Sequence, residues 1–202
     1  MSVASVPVVF ADRVIGKASL TKNIVAVLAG AALVGALAQV SIPLWPVPIT
    51  GQTLAVMLVG AILGSRRGAA ALTTYMVFGL AGLPWFAGFS GGPAMVMSPS
   101  FGYIIGFIPA AWLIGYLSER QWDRHALLSL AAFGLASIIP FLTGIPYMWV
   151  ILHMGGKTLT LVQTLNAGFT PFIVGGVIKW VLGSLILLGF WRFSGTEAPE
   201  KN

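Results

Sequence analysis

A single lysine lies within an otherwise apolar stretch of the chain that runs from Pro171 to Trp180. Lys179 is the only charged residue inside any of the long apolar segments, and a charge at membrane depth is costly unless it is paired, ligand-bound or hydrated. The chain has five acidic residues, which all lie near the termini or in the arginine-flanked turn at 119–124: Asp12, Glu119, Asp123, Glu197 and Glu200. We therefore expect Lys179 to meet a group from outside the chain or to be held in its neutral form.

The composition indicates a membrane protein with one domain. Of the 202 residues, 57% are hydrophobic and 8% are charged, which is too apolar for a soluble globule. Two uncharged stretches, between Lys22 and Arg66 and between Arg67 and Glu119, each have a Pro- and Gly-rich middle and are each long enough for two spans. The sequence therefore predicts an all-α integral membrane bundle of six helices, at about 24–40, 50–63, 69–83, 102–117, 126–153 and 171–190. Pro140 and Pro146 predict that the fifth helix is bent or broken.

The basic residues predict the orientation of this bundle. If the N-terminus is cytoplasmic, Lys157 is the one basic loop residue outside, and the others lie inside: Arg13, Lys17, Lys22, Arg66, Arg67, Arg120, Arg124, Arg192 and Lys201. We therefore expect both termini in the cytoplasm, with a leader over 1–23, a six-helix membrane domain over 24–192 and a tail over 193–202. The leader has only a brief apolar patch followed by charges, which is not the pattern of a cleavable signal sequence.

The longest connection, from Pro84 to Phe101, is predicted to face outward. Its aromatic residues and methionines argue against disorder, and an ordered loop of this length is usually functional. Its glycines permit a ligand to approach the backbone, and its aromatic rings offer apolar walls. The glycines are Gly88, Gly91 and Gly92, and the rings are those of Trp85, Phe86 and Phe89.

Lys179 is predicted to lie below this loop, roughly 12 Å from the outer end of the last helix at about 1.5 Å per residue. The loop and the lysine together predict an outward-facing cup for a small, partly apolar molecule that carries a carboxylate or another strong acceptor. A re-entrant plug that binds no ligand is the alternative interpretation of the loop.

Small residues recur four positions apart along the first predicted helix, which would let another helix approach closely in lipid. The pairs are Ala26 and Gly30, Ala31 and Gly35, and Ala32 and Ala36. Packing within the bundle and docking to a partner protein are both consistent with this pattern.

Other motifs in the sequence do not complete a catalytic or metal site. Gly155-Gly-Lys-Thr158 ends like a phosphate-binding loop, but Ile151 replaces the first glycine of that pattern. His125 and His153 lie near opposite ends of one predicted helix, too far apart to share a metal, and the chain has no cysteine. We therefore expect no enzyme activity, no cofactor and no metal. We also expect no nucleic-acid partner, because the basic residues behind the net charge of +6 mark the membrane topology.

Three blocks of this sequence resemble the BioY family, whose members are the biotin-capturing S components of energy-coupling factor (ECF) vitamin importers. The blocks are Pro46–Leu58, Gly79–Gly92 and Ser98–Phe107. The resemblance implies a six-helix S component in the bacterial cytoplasmic (inner) membrane that binds biotin from outside. It also implies two partners, a transmembrane coupling protein of the EcfT or BioN type and cytoplasmic ATPases of the EcfA or BioM type. The first helix resembles the family's docking surface through Ala26, Gly30, Ala32 and Ala36.

The resemblance also implies which residues bind the ligand. Lys179 matches the lysine of the family's last helix, and Gly102 and Tyr103 match the Gly-Tyr that opens its fourth. Ser90 stands where the family often has a polar residue between glycines, and Gly176 stands where it usually has Asp, the usual counter-ion of the lysine. The complete set predicted to bind the ligand is Gln52, Trp85, Phe89, Ser90, Gly91, Gly102, Tyr103, Gly176 and Lys179.

Two alternatives to a biotin-binding subunit follow from the same residues. The missing Asp suggests an S component for another vitamin or for a biotin precursor. A membrane-embedded enzyme that acts on lipid or prenyl substrates would use Lys179 as an activated amine, with polar partners such as Gln39, Gln52 and Tyr75.

Overall fold

Helices form almost all of the regular structure of the chain. The structure is a computed structural model that describes residues 9–16 and 19–193. Its α-helices are α1 (Phe10–Ile15), α2 (Leu20–Ala38), α3 (Gln52–Leu63), α4 (Ser65–Leu80), α5 (Phe101–Ser118), α6 (Ala126–Met154), α7 (Leu161–Gly168) and α8 (Phe172–Phe193). A two-stranded antiparallel hairpin, β1 (Ser41–Ile42) and β2 (Ile49–Thr50), connects α2 to α3.

Within the described residues, four helices are long and apolar enough to cross a membrane: α2, α5, α6 and α8. Helix α3 is apolar but has 12 residues, and α4 has 16 and carries two arginines in its first turn. The all-α membrane architecture is therefore confirmed, and the count of six spans stays a prediction. The predicted tail lies outside the described residues except for Phe193, and so do residues 1–8 and 17–18 of the predicted leader.

The two ends of the bundle differ in chemistry. The connections 39–51, 81–100 and 155–171 lie at one end, called the loop end. The opposite end, called the acidic end, holds the three described carboxylates, which all have partners there. Asp12 forms an ion pair with Arg67 at 2.6 Å, Glu119 accepts hydrogen bonds from Ser65, and Asp123 accepts one from Trp191. Helix α1 packs across this end, where the ring of Phe10 stacks on that of Phe190.

Helix α5 is central because small residues let its neighbours approach closely. A Cβ at Gly60 of α3 would lie 2.5 Å from the carbonyl oxygen of Ala111 in α5, and a Cβ at Gly115 would lie 2.5 Å from the backbone of the turn between α3 and α4. Ala110, Ala111 and Ile114 are fully buried in this contact. Helices α3, α4 and α5 therefore form a tight unit that fixes one wall of the loop end.

Helix α6 is one continuous helix through Pro140 and Pro146, so of the predicted bend or break the break is wrong, and the bend stays a prediction. The helix packs closely on α5, where a Cβ at Gly106 would lie 2.7 Å from the Cα of Pro140. The hydroxyl of Thr143 donates to the carbonyl of Gly102 at 2.9 Å and to that of Pro140 at 3.3 Å. These contacts hold α6 on its neighbour. Packing against neighbouring helices helps a membrane helix to tolerate the loss of the backbone hydrogen bonds that proline cannot make.

Helix α8 packs against α6 through glycine contacts. A Cβ at Gly134 would overlap the indole of Trp180, whose Nε1 donates to the carbonyl of Leu130. A Cβ at Gly183 would overlap the ring of Phe133. These contacts fix the rotation of α8 and turn the side chain of Lys179, one residue before Trp180, toward α3.

Candidate functional site

A cavity of about 220 Å³ opens at the loop end between the hairpin and helices α3, α5, α6 and α8. Its polar lining residues are Thr50, Gln52, Thr53, Ser90, Ser98, Ser100, Tyr103 and Lys179. Its apolar lining residues are Pro46, Val47, Pro48, Phe86, Ala87, Met95, Ile104, Phe107, Pro140, Phe141 and Phe172. The cavity therefore has apolar walls, several neutral polar groups and one cation, which is the composition of a small-molecule site.

Lys179 has hydrogen-bond acceptors within the chain, and the expectation that it meets an outside group or is held in its neutral form stays a prediction. Its Nζ donates to the carbonyl oxygen of Thr50 at 2.6 Å and to the hydroxyl of Thr53 at 3.2 Å. Both acceptors are neutral, so they orient the ammonium without cancelling its charge. An ammonium has three N–H donors, and the third is available to a ligand in the cavity.

The electrostatic environment of Lys179 favours an anion. None of the described residues that line the cavity is an Asp or a Glu. The ammonium lies beside the first turn of α3, and the N-terminal end of a helix carries a positive partial charge. Both features attract a negative group to the same part of the cavity.

Gln52 and Tyr75 fix the α3 side of the cavity. The side-chain amide of Gln52 donates from Nε2 to the hydroxyl of Tyr75 at 2.7 Å, and its Oε1 accepts from the hydroxyl of Thr50 at 2.9 Å. Tyr75 is completely buried. Because its amide is held on both sides, Gln52 presents a fixed polar surface to the cavity.

The ring of Tyr103 lines the cavity, and its hydroxyl forms a hydrogen bond between two helices of the bundle. The hydroxyl donates to the carbonyl of Gly168 at 2.7 Å and so joins α5 to the end of α7. The ring stacks on Phe172 with centroids 6.1 Å apart and meets Phe141 edge-on at 5.9 Å. This aromatic cluster gives the cavity a rigid apolar wall.

Residues 84–92, called the lid loop, cover one side of the cavity. Phe86 is 1% exposed and inserts into a space that the absence of a side chain at Gly79 leaves open. The backbone N–H of Phe86 donates to the carbonyl of Ser90 at 3.0 Å, and the hydroxyl of Ser90 donates to the carbonyl of Ala87 at 2.8 Å. The lid loop therefore presents Phe86, Ala87 and Ser90 to the cavity.

Of the residues predicted to bind the ligand, the structure brings Gln52, Ser90, Tyr103 and Lys179 together on the cavity. Three others belong to the lid loop but do not line the cavity. Trp85 packs on Tyr75 and Phe78 with ring centroids 5.3 and 5.9 Å away, and Phe89 is 72% exposed. Gly91 lies against the backbone of Leu83. The predicted apolar wall is provided by Phe86, because the turn of the lid loop directs the two neighbouring rings away.

The two remaining predicted glycines also lie off the main cavity. Gly102 lies where α5 meets α6, and a Cβ there would overlap the side chain of Tyr147. Gly176 lines a second, more apolar cavity of about 170 Å³ between α3, α6 and α8, which shares Thr53 and Lys179 with the first. No atom lies within 4 Å of a Cβ built on Gly176, so space is open beside it.

The sequence did not single out the residues that hold Lys179. Thr53 and the carbonyl of Thr50 lie at the start of an apolar helix, where Thr50, Gln52 and Thr53 form a polar group within four positions. That cluster was a usable signal for a site. Phe141 and Phe172 gave no comparable signal, because aromatic residues in apolar helices most often face the core or lipid. Among the described residues, no group of three or more His, Asp or Glu side chains could hold a metal ion.

The predicted docking residues on α2 divide between two faces. Ala32 and Ala36 are exposed, with Leu28 and Leu33 exposed near them. Gly30 is buried, and a Cβ there would contact α3 and α4 at 3.0–3.2 Å. Ala26 is half-buried. Gly30 thus serves packing within the bundle, whereas Ala32 and Ala36 lie on the exposed face of α2.

Comparisons with known proteins agree on one family. A family model described as the BioY family matches residues 8–196. The biotin transporter BioY of Thermotoga maritima is 36% identical over 151 residues, which cover 75% of this chain and 85% of that protein. The biotin transporter BioY of Rhodobacter capsulatus is 37% identical over 177 residues, which cover 83% and 92%. The crystal structure of an S-component for biotin from an ECF-type ABC transporter has the same fold, with a TM-score of 0.73 at 23% identity over 85% of this chain and 92% of that one.

A packing role for Gly102 predicts that Gly102→Ala destabilises the bundle. The new methyl group must displace Tyr147 or separate α5 from α6, and such overpacking costs about 1–3 kcal/mol of unfolding free energy. Thermal unfolding of the detergent-solubilised protein should show a midpoint several degrees lower. Gly189→Ala is the matched control, because no atom lies within 4 Å of its Cβ. An unchanged midpoint for Gly102→Ala would contradict the packing role.

Proposed function

Because the chain belongs to the BioY family, we propose that it is the biotin-binding S component of an ECF-type importer. It is a transport subunit rather than an enzyme. Biotin has an apolar fused ring with a thioether, a polar ureido group and a flexible chain that ends in a carboxylate. The cavity offers apolar walls for the ring, neutral polar groups for the ureido end and one ammonium for the carboxylate. The names of the relatives support biotin as the ligand.

The observation that carries the proposal is the ammonium of Lys179, which has a third N–H donor and, among the described residues that line the cavity, no carboxylate beside it. Two neutral oxygen atoms hold it at the first turn of α3, whose dipole adds to the positive potential. A ligand carboxylate forms an ion pair as well as a charge-assisted hydrogen bond there, whereas a neutral ureido oxygen forms the hydrogen bond without the attraction between two ions. We therefore assign the carboxylate of biotin to Lys179 and its ureido group to the polar side chains near Gln52 and Ser90.

The proposal includes a topology in the bacterial inner membrane. Six helices, α2 to α6 and α8, would span it with both termini in the cytoplasm. The described arginines lie in α1 or at the acidic end, whereas Lys157 lies at the loop end, where its ammonium is 4.0 Å from the ring centroid of Trp45. This distribution follows the positive-inside rule if the loop end faces outward. Biotin would then enter from outside.

The proposed partners are a transmembrane coupling protein and a pair of cytoplasmic ATPases. This chain would capture the vitamin, and the ATPases would supply the energy for its release inside. The exposed small residues Ala32 and Ala36 of α2 are the proposed contact with the coupling protein, because they let a second helix approach closely in lipid.

One observation favours a second ligand of the same class. The space beside Gly176 continues from the second cavity, so a biotin precursor or another vitamin with a different side chain would find room there. Competition of unlabelled vitamins against radiolabelled biotin separates the two candidates, since a better competitor than biotin would be the natural ligand.

Replacing Lys179 should abolish tight biotin binding. Lys179→Met keeps the length of the side chain but removes the ammonium, and we expect the dissociation constant to rise on the order of 100-fold, as when a buried charged partner is truncated. The measurement is calorimetric titration of the purified protein. Lys157→Met is the matched control, because it removes a cation from the same end without touching the cavity. Equal affinity of Lys179→Met and parent would remove the lysine from the ligand site.

Filling the small-residue face of α2 should block assembly and spare biotin binding. Ala32→Trp or Ala36→Trp places a large ring where a partner helix would approach, so co-purification with a co-expressed BioN-type coupling protein should fall at least several-fold. Val181→Trp on the exposed face of α8 controls for a bulky residue in lipid. Normal co-purification of both α2 variants would place the docking surface elsewhere.

A further inference from the structure

One side chain outside the cavity, that of Gln39, makes three hydrogen bonds to the backbone of the lid loop. Gln39 follows the last residue of α2. Its Nε2 carries two hydrogens, which are shared among three carbonyl oxygens: those of Gly35 at 3.0 Å, Trp85 at 3.2 Å and Phe86 at 3.1 Å. Its Oε1 accepts from the backbone N–H of Phe89 at 2.9 Å. The amide thus uses both of its ends, and three of its four contacts are with the lid-loop backbone.

The backbone that Gln39 holds has a costly conformation. Phe89 has a φ of 54°, a left-handed value that bulky residues rarely adopt, and Gly88 before it has a φ of 68°. The ring of Phe89 is 72% exposed, so burial of that ring does not offset the cost. The hydrogen bond from its N–H to Gln39 does stabilise this turn. This turn places Phe86 and Ser90 on the cavity, and the two residues are joined by a backbone hydrogen bond.

Helix α2 supports the same segment by packing. A Cβ at Gly35 would lie 3.0–3.3 Å from the side chain of Trp85, so the indole rests directly on the helix backbone. The Nε1 of Trp85 donates to the carbonyl of Tyr75 at 2.8 Å. The lid loop is therefore held between α2 and α4, and Gln39 is the side chain that joins it to α2.

We propose that Gln39 is a positioning residue for ligand retention: it holds the lid loop closed over the cavity and so slows the release of the bound molecule. The proposal rests on the proposed function for the identity of that molecule, biotin. Gln39 does not line the cavity and acts through Phe86 and Ser90, which do. Loss of its hydrogen bonds takes a partner from the carbonyls of Trp85 and Phe86 and from the N–H of Phe89, and backbone groups that lose partners favour an open, hydrated loop.

Two variants separate the donor and acceptor roles of the amide. Gln39→Met removes all four hydrogen bonds at nearly constant length. Gln39→Glu keeps an acceptor for the N–H of Phe89 but places a carboxylate against three carbonyl oxygens. Gln163→Glu is the matched control on α7 at the same end, because the described hydrogen bonds of that side chain use Oε1, which glutamate retains.

The experiment measures association and dissociation of radiolabelled biotin together with amide hydrogen exchange of the ligand-free protein. For both Gln39 variants, we expect dissociation about tenfold faster or more and association within about threefold of the parent, since losses of this kind fall mainly on the off-rate. Exchange should accelerate in residues 85–90 and stay unchanged in α5. A general loss of stability would instead accelerate exchange in both segments.

Parent-like dissociation with unchanged exchange at 85–90 would overturn the proposal. Faster amide exchange in α5 as well would mean that Gln39 stabilises the bundle in general, and this result would also overturn the proposal. If the parent itself fails to bind biotin, the proposed function fails. The exchange of the lid loop in the ligand-free variants then still decides whether Gln39 holds it.

Discussion

The site depends on how one ammonium is accommodated at membrane depth without a carboxylate. Lys179 donates to a backbone carbonyl and a hydroxyl at the start of α3, and both acceptors are neutral. A carboxylate partner would have neutralised the lysine and removed its attraction for an anion. Neutral acceptors satisfy two of its hydrogens and leave its charge directed at the cavity.

The rest of the bundle positions both Lys179 and its acceptors at the start of α3. Glycine contacts bring α5 close to α3, α4 and α6, and they fix α8 on α6 so that Lys179 points toward α3. The hydrogen bonds of Gln52 and Tyr75 then hold the first turn of α3, and the ring of Tyr103 fixes the opposite wall. The cavity walls are therefore largely rigid. The lid loop differs from them, because it contains a strained turn and because its described hydrogen bonds to the α2 side come from one side chain, that of Gln39.

The sequence predicted the parts of this site whose residue types are unusual for their surroundings. A lysine in an apolar helix and a glycine-aromatic loop both stood out, and both border the cavity. The facing of individual rings could not be predicted, because Trp85, Phe86 and Phe89 are equally apolar and only the turn decides which one points inward. The acceptor at Thr50 is a backbone carbonyl, which every residue has and no sequence pattern marks. The sequence alone did not show whether Gly30 packs within the bundle or faces a partner protein, because that depends on the positions of α3 and α4.

The continuity of α6 has a similar explanation. Proline disfavours a helix locally, but whether the helix breaks depends on what neighbouring helices supply, and Thr143 and the close contact with α5 are tertiary features.

The most direct test of the central claim is calorimetric titration of the purified parent protein with biotin and with biotin amide, in which the carboxylate is neutral. Thiamine serves as an unrelated vitamin. If the ammonium of Lys179 meets the ligand carboxylate, biotin should bind on the order of 100-fold more tightly than the amide, and thiamine should not bind. Equal affinity for biotin and its amide would contradict the account and turn the ligand round, with its ureido oxygen toward the lysine.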